Sequence, residues 1–168
     1  MAETKVAVPL KTISYKGVFS AKGLFEVIQS WCSDKGYYMF KKSQTEALKK
    51  EGKNIEFTGE FMSTFTDYAK SIIWYKINFS KLKDITITRD GKKVKLQEGE
   101  VDIKLIGKLV TDYEGRWETK PLFYFLRILF GKYLYAPYIS RWEKKITQDV
   151  ETLKDYIESY LNMERFLK

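Results

Sequence analysis

IEFTGEFMSTF, residues 55–65, alternates with a period of two. Ile55, Phe57, Gly59, Phe61, Ser63 and Phe65 fall on one side, and Glu56, Thr58, Glu60, Met62 and Thr64 on the other. Successive side chains of a strand point to opposite faces, so this alternation marks a half-buried strand. The same period runs to either side of it. Upstream, Tyr38 and Phe40 open a strand, and KKEGKN (49–54) supplies the turn. Downstream, Asp67 and Tyr68 mark the next turn. Ile73, Tyr75, Ile77 and Phe79 then form an inward set, with Trp74 and Lys76 on the opposite face. Ile85 and Ile87 follow, and Arg89-Asp90-Gly91-Lys92 reads as a hairpin turn. Val94 and Leu96 continue the sheet, and Glu98-Gly99 is the next break. Val101, Ile103, Leu105, Gly107 and Leu109 make the last strand, which ends near Asp112. Connections this short favour antiparallel pairing, because parallel pairs need long crossovers.

Helical spacing flanks this strand region. Residues 6–20 read as extended, through Ile13, Tyr15, Val18 and Phe19, with Gly17 as a bulge signal. Leu24, Phe25, Val27, Ile28, Trp31 and Cys32 then fall on one helix face, with Ser20 as N-cap and Gly36 as stop. At the other end, Ile139, Trp142, Ile146, Val150, Leu153, Ile157 and Leu161 step by three or four. Lys144, Lys145, Glu151, Lys154, Asp155 and Glu158 fill the rest of that helix, which runs for about six turns. Pro137 stands near its start.

Between the last strand and this helix lies KPLFYFLRILFGKYLYAPYISRW, residues 120–142, with eight aromatic side chains. Residues 122–135 read as one helix or two short pieces around Gly131. Leu122, Phe125, Leu126, Leu129 and Phe130 fit one buried face, so core packing is the plain reading. Tyr124, Tyr133, Tyr135 and Tyr138 are harder to bury, because each hydroxyl needs a partner. They suit a cavity rim, a partner contact or a membrane interface, with Arg127 and Lys132 outward. Arg127, Gly131, Lys132 and Pro137 interrupt the tract and argue against a transmembrane span; peripheral membrane contact stays open.

A chain of 168 residues most simply makes one domain, here 1–168, with no repeat or linker. Apolar content of 44% is globular, and the aromatic share of 16% implies bulky packing or a ring-lined surface. The formal charge of +8 is compatible with an anionic partner, but the basic residues are interspersed with acids, as on a solvated surface. Lys41, Lys42, Lys49, Lys50 and Lys53 flank the first hairpin. They suit phosphate contact or, more simply, protection of an exposed strand edge. One cysteine excludes a disulfide framework and suits a reducing, cytoplasmic setting, and the N-terminus has no signal-peptide layout.

Catalytic signatures are missing. There is no histidine, which removes the commonest general base and metal ligand. One cysteine cannot make a zinc site, so no metal and no cofactor is expected. No phosphate-cradling glycine motif appears. Cys32 sits on the apolar helix face as an inert core thiol. Asp112, Glu114 and Glu118 gather around Arg116, but with Gly115 they read as a solvated turn. Tyr75, Tyr113 and Tyr124 are candidate proton donors in a pocket. Gly59 and Gly107 fall on apolar strand faces, where glycine marks a bend, the close approach of another element, or room for a ligand.

The order strand, helix, five or six antiparallel strands, aromatic segment, long helix resembles the START-like (SRPBCC) superfamily over nearly the whole chain. TDYEGRWETKP (111–121) and EKKITQDVETLKDYIESYLN (143–162) are also similar to a group of uncharacterised small archaeal proteins. The superfamily resemblance implies an α+β helix-grip fold, in which a curved antiparallel sheet of about six strands grips a long C-terminal helix. The aromatic segment before that helix is an addition to the pattern. It also implies apolar ligands held between sheet and helix. On that basis the expectation is a non-catalytic protein holding an apolar, lipid-like ligand or a partner chain. Phe57, Phe61, Tyr75, Ile103, Leu105, Phe125, Trp142 and Ile146 are the candidate lining or core residues. Tyr124, Arg127, Lys132, Tyr133, Tyr135 and Tyr138 are the candidate surface contacts. Two alternatives stand beside it: a basic RNA- or ribosome-associated protein, and a cofactor-free enzyme using Tyr and carboxylates in the same cavity.

Overall fold

The computed structural model describes residues 2–113, 129 and 136–165. Its elements are β1 (Glu3–Phe19), α1 (Ala21–Lys35), β2 (Tyr38–Lys49), β3 (Gly52–Thr64), β4 (Ala69–Arg89), β5 (Lys92–Thr111) and α2 (Ala136–Arg165). The five strands form one antiparallel sheet in the order β1-β5-β4-β3-β2. Strands β2 to β5 follow one another as a meander. β1 closes the far edge against β5, and α1 carries the chain from one edge of the sheet to the other.

The expected count of about six strands is too high by one. Residues 73–79 and 85–87 belong to a single strand, β4, which bulges between Ser80 and Lys83 without leaving the sheet. Lys81 takes a left-handed φ of 57° there, and its backbone N–H is received by Asn54 Oδ1 at 3.0 Å. The break expected at Glu98-Gly99 is likewise internal to β5, whose Glu98 pairs with Lys83 at the far side of that bulge. An extra residue in one strand kinks the ladder and increases local twist while pairing continues. A pattern break in the sequence therefore marks a bulge here, where a turn was expected.

Local signals set the element ends. Ser20 Oγ accepts from the Gly23 N–H at 3.1 Å, and the Tyr37 N–H donates to the Cys32 carbonyl at 2.8 Å as α1 stops. Asp90 and Gly91, at φ 50° and 76°, make the β4–β5 hairpin, whose twist requires positive φ at both central residues. Pro137 stands in the first turn of α2, where its missing N–H has no helical partner to lose.

One face of the sheet carries the core. Ile73, Tyr75, Ile77 and Phe79 of β4 and Val101, Ile103, Leu105 and Leu109 of β5 are buried, together with Phe61, Val8 and Phe19. Leu24, Ile28, Trp31 and Cys32 of α1 pack down on this face, as do Ile146, Val150, Leu153, Ile157 and Leu161 of α2. α2 lies close above Gly107. A Cβ there would lie 2.9 Å from Ile146 Cγ2 and 2.9 Å from Val8 Cγ2, so the absent side chain sets the helix-to-sheet distance. Tyr160 ties the two helices, donating its hydroxyl to the Ser20 carbonyl at 3.0 Å. Among the described residues no helix is long and apolar enough to cross a membrane.

Candidate functional site

Seven of the eight candidate lining residues are described, and all belong to the layer between the sheet and the helices. Phe61, Tyr75, Ile103, Leu105 and Ile146 are fully buried, while Phe57 and Trp142 are partly buried and pack at its margin. Phe125 lies outside the described residues. The layer is built ring on ring. Tyr75 stacks on Phe61 at 4.5 Å between centroids, Trp31 meets Phe61 edge-on at 5.8 Å, and Trp31 stacks on Tyr37 at 4.9 Å. Gly59 allows the first of these contacts. A Cβ at Gly59 would collide with the Tyr75 hydroxyl and with the Phe40 carbonyl, so the phenol lies directly over the strand backbone.

Two polar atoms in this layer have no hydrogen-bond partner among the described residues: the Tyr75 hydroxyl and the Trp31 indole N–H. Both residues are 0% exposed. Burial pushes the Tyr75 hydroxyl up to about 12, with a smaller contribution from Cys32, and pushes the Cys32 thiol up to about 11. Both groups hold their protons at neutral pH, so Tyr75 is a donor in search of an acceptor. Cys32 is free and buried, the setting of an inert thiol.

A second set of polar groups in the same core is satisfied. The Tyr37 hydroxyl lies 3.0 Å from Asp149 Oδ2 and 2.9 Å from Ser71 Oγ. With one proton to give, it donates to the carboxylate and receives the Ser71 hydroxyl. Burial foremost, and the Asp149 charge beside it, push the Tyr37 hydroxyl far above its ordinary value. Local sequence pattern does not single out this trio. A signal was present: Asp149 falls three residues after Ile146 and four before Leu153, within the apolar stripe, and Ser71 shares the parity of Ile73 and Tyr75.

At the N-terminal end of α2 the layer opens into an aromatic margin. Phe65 stacks on Trp142 at 6.0 Å, and Tyr138 lies 6.2 Å from Trp142. Lys145 and Arg141 stand over Phe65 and Tyr138. Tyr138 is thus an exposed ring at the margin. The other expected surface contacts, Tyr124, Arg127, Lys132, Tyr133 and Tyr135, lie outside the described residues. Leu129, expected on a buried face, is 38% exposed.

One of the expected carboxylates, Asp112, is described. The sequence pattern places Asp112 in a solvated turn, yet it is only 2% exposed. Its backbone N–H donates to the Tyr68 carbonyl at 2.7 Å, and its φ of 51° folds the chain back under the 66–69 turn. Glu114, Arg116 and Glu118 lie outside the described residues, as does Tyr124 among the expected proton donors. Tyr113 donates to the Thr66 carbonyl at 3.0 Å on the surface. Three of the five hairpin lysines are tied to neighbours: Lys42 pairs with Glu60 at 2.6 Å, Lys53 pairs with Glu46, and Lys41 lies over the Phe57 ring. A surface groove at the bulged end of the sheet collects Lys16, Lys50, Lys81 and Lys83 with Glu51, Glu98 and Glu100. Lys16 and Lys81 both pair with Glu100 and hold its carboxyl below the usual range. No protein-family model matches the chain, and no curated protein does.

Proposed function

We propose that the protein is a non-catalytic binding domain of the helix-grip type, holding an apolar, lipid-like molecule between the inner face of the sheet and α2. The observation that supports this reading is the Tyr75 hydroxyl, buried among apolar side chains without an acceptor among the described residues. A buried, unpaired donor costs about 1–3 kcal/mol. Tyr75 and Trp31 flank the same ring, Phe61, and leave two such donors in one place. A ligand with an apolar body and an acceptor oxygen at its head answers both. A partner peptide fits less well, because each of its residues would bring a backbone N–H as well as a carbonyl to the Tyr75 and Trp31 groups, which are both donors.

The alternatives draw less support. Tyr75 and Tyr37 are held protonated far above neutral pH, which is a poor match for acid–base work. The hairpin and groove lysines are interleaved with Glu46, Glu60, Glu98 and Glu100, which weakens any stripe that could track a phosphate backbone. A cytoplasmic setting belongs to the same proposal, since a lone buried thiol suits a reducing compartment.

Native mass spectrometry of the purified protein, compared with Tyr75→Phe, tests the reading. Wild type retains an apolar small molecule that is released on denaturation. Tyr75→Phe retains it about tenfold less well, the loss of one good hydrogen bond. The emptied variant is also more stable than the emptied wild type, because an unpaired donor is gone. A bare chain mass for both proteins would reject the proposal.

A further inference from the structure

We propose that β2 is a dimerisation edge, on which a second copy of this chain adds its own β2 antiparallel to form one continuous sheet. β2 ends the strand order, so its outer edge carries no strand among the described residues. All twelve of its residues are exposed. Several are large and apolar: Leu48 is 83% exposed, Tyr38 74% and Phe40 49%. A long strand edge with uncovered apolar side chains is a ready template for another chain.

The register with β3 says which side chains share a face. Tyr38 and Phe40 lie opposite Met62 and Glu60 on the outer face, while Met39 and Lys41 lie opposite Phe61 and Gly59 on the inner face. The ladder then shifts between Lys41 and Ser43, leaving Lys42 as the extra residue. Beyond it Ser43, Thr45, Ala47 and Lys49 face outward, and Gln44, Glu46 and Leu48 inward. A twofold axis perpendicular to an antiparallel pair sets one residue opposite itself. With Gln44 on that axis and Lys42 looped out in both strands, every pair falls on a common face. Lys41 then meets Glu46 of the partner subunit, and Met39 meets Leu48 of the partner subunit. On the outer face, Ser43 meets Thr45 of the partner subunit, Phe40 meets Ala47 of the partner subunit, and Tyr38 meets Lys49 of the partner subunit. Each pair is complementary: opposite charges, apolar with apolar, hydroxyl with hydroxyl, ring with cation.

The lysines of this strand thus act as specificity elements, since in this register Lys41 and Lys49 meet Glu46 and Tyr38 and never each other. Their present partners exchange at little cost: the exposed Lys41 reaches Gln44 and stands over the Phe57 ring, and the exposed Glu46 reaches the half-buried Lys53.

Sedimentation equilibrium of the full chain tests the proposal. Wild type shows a monomer–dimer equilibrium. Lys41→Glu and Glu46→Lys each set like charges opposite one another twice per dimer and weaken association about tenfold. Both positions are exposed, so both variants fold, which circular dichroism verifies. An equimolar mixture of the two variants regains the dimer, because each acid again faces a lysine. Gln44→Cys forms a disulfide-linked dimer under mild oxidation, whereas Thr45→Cys does not. A wild type that stays monomeric, single variants that associate as wild type does, or a mixture that fails to recover would each overturn the proposal. A monomer that captures another chain at this edge counts equally against it.

Discussion

Tyr37 and Asp149 stand 112 positions apart, and their hydrogen bond ties the end of α1 to the middle of α2 over Ser71 of β4. Removing the carboxylate takes one hydrogen bond from the buried trio and leaves Ser71 Oγ as the remaining partner of the Tyr37 hydroxyl. Asp149→Ala is therefore expected to cost about 1–3 kcal/mol in urea unfolding, and Asp149→Asn, which keeps an acceptor oxygen, clearly less. The same core fixes the response to pH. Tyr75, Cys32 and Tyr37 all bind their protons more firmly folded than unfolded, at about 12, about 11 and higher still. Their contribution to stability is whole below about pH 9, the ordinary thiol value, and is lost as pH rises through 11 and 12. With no histidine to titrate, thermal melts are expected to be flat from pH 6 to 8 and to fall from about pH 9 upward. A steep change near neutrality would contradict this. The sequence indicated Cys32 as a core thiol, because its helix face is a local pattern. It hid Tyr37–Asp149, because a polar residue within an apolar stripe is explained only by a partner distant in sequence.

The elements were legible where their signals are local. Alternation placed β3 and the first half of β4, caps placed α1, and Asp90-Gly91 placed the last hairpin. The strand count was not legible, because a bulge and a turn both interrupt a period of two. What separates them at Ser80–Lys83 is pairing across the sheet, and Asn54 of β3 holds the bulge from another strand. Gly107 shows the same dependence on a neighbour. Its sequence context allowed a bend, room for a ligand, or a close approach, and α2 supplies the last. Gly107→Ala brings a methyl to 2.9 Å from Ile146 and Val8 and is expected to destabilise by about 1–3 kcal/mol, with α2 displaced outward. A variant as stable as wild type would mean that helix and sheet are not in close contact there.

For the described residues as a whole, one sheet face is buried under two helices. Among the described residues, that face holds packed rings with two donors that have no partner, and β2 ends the sheet with no strand on its outer edge. Residue types alone narrowed the function by what they exclude: no histidine, one thiol, no phosphate loop. They also brought Phe61, Tyr75, Ile103, Leu105 and Ile146 into one layer, since all five share the apolar faces of their elements. Alternation could not show that the Tyr75 hydroxyl lacks an acceptor, because that depends on Gly59 and Phe61 across the sheet. The binding proposal rests on that atom. A high-resolution electron-density map of protein purified without added ligand tests it most directly. The account predicts continuous non-protein density beginning at the Tyr75 hydroxyl and running between the sheet and α2. A map in which side chains fill that layer, with nothing but an ordered water at Tyr75, would contradict it.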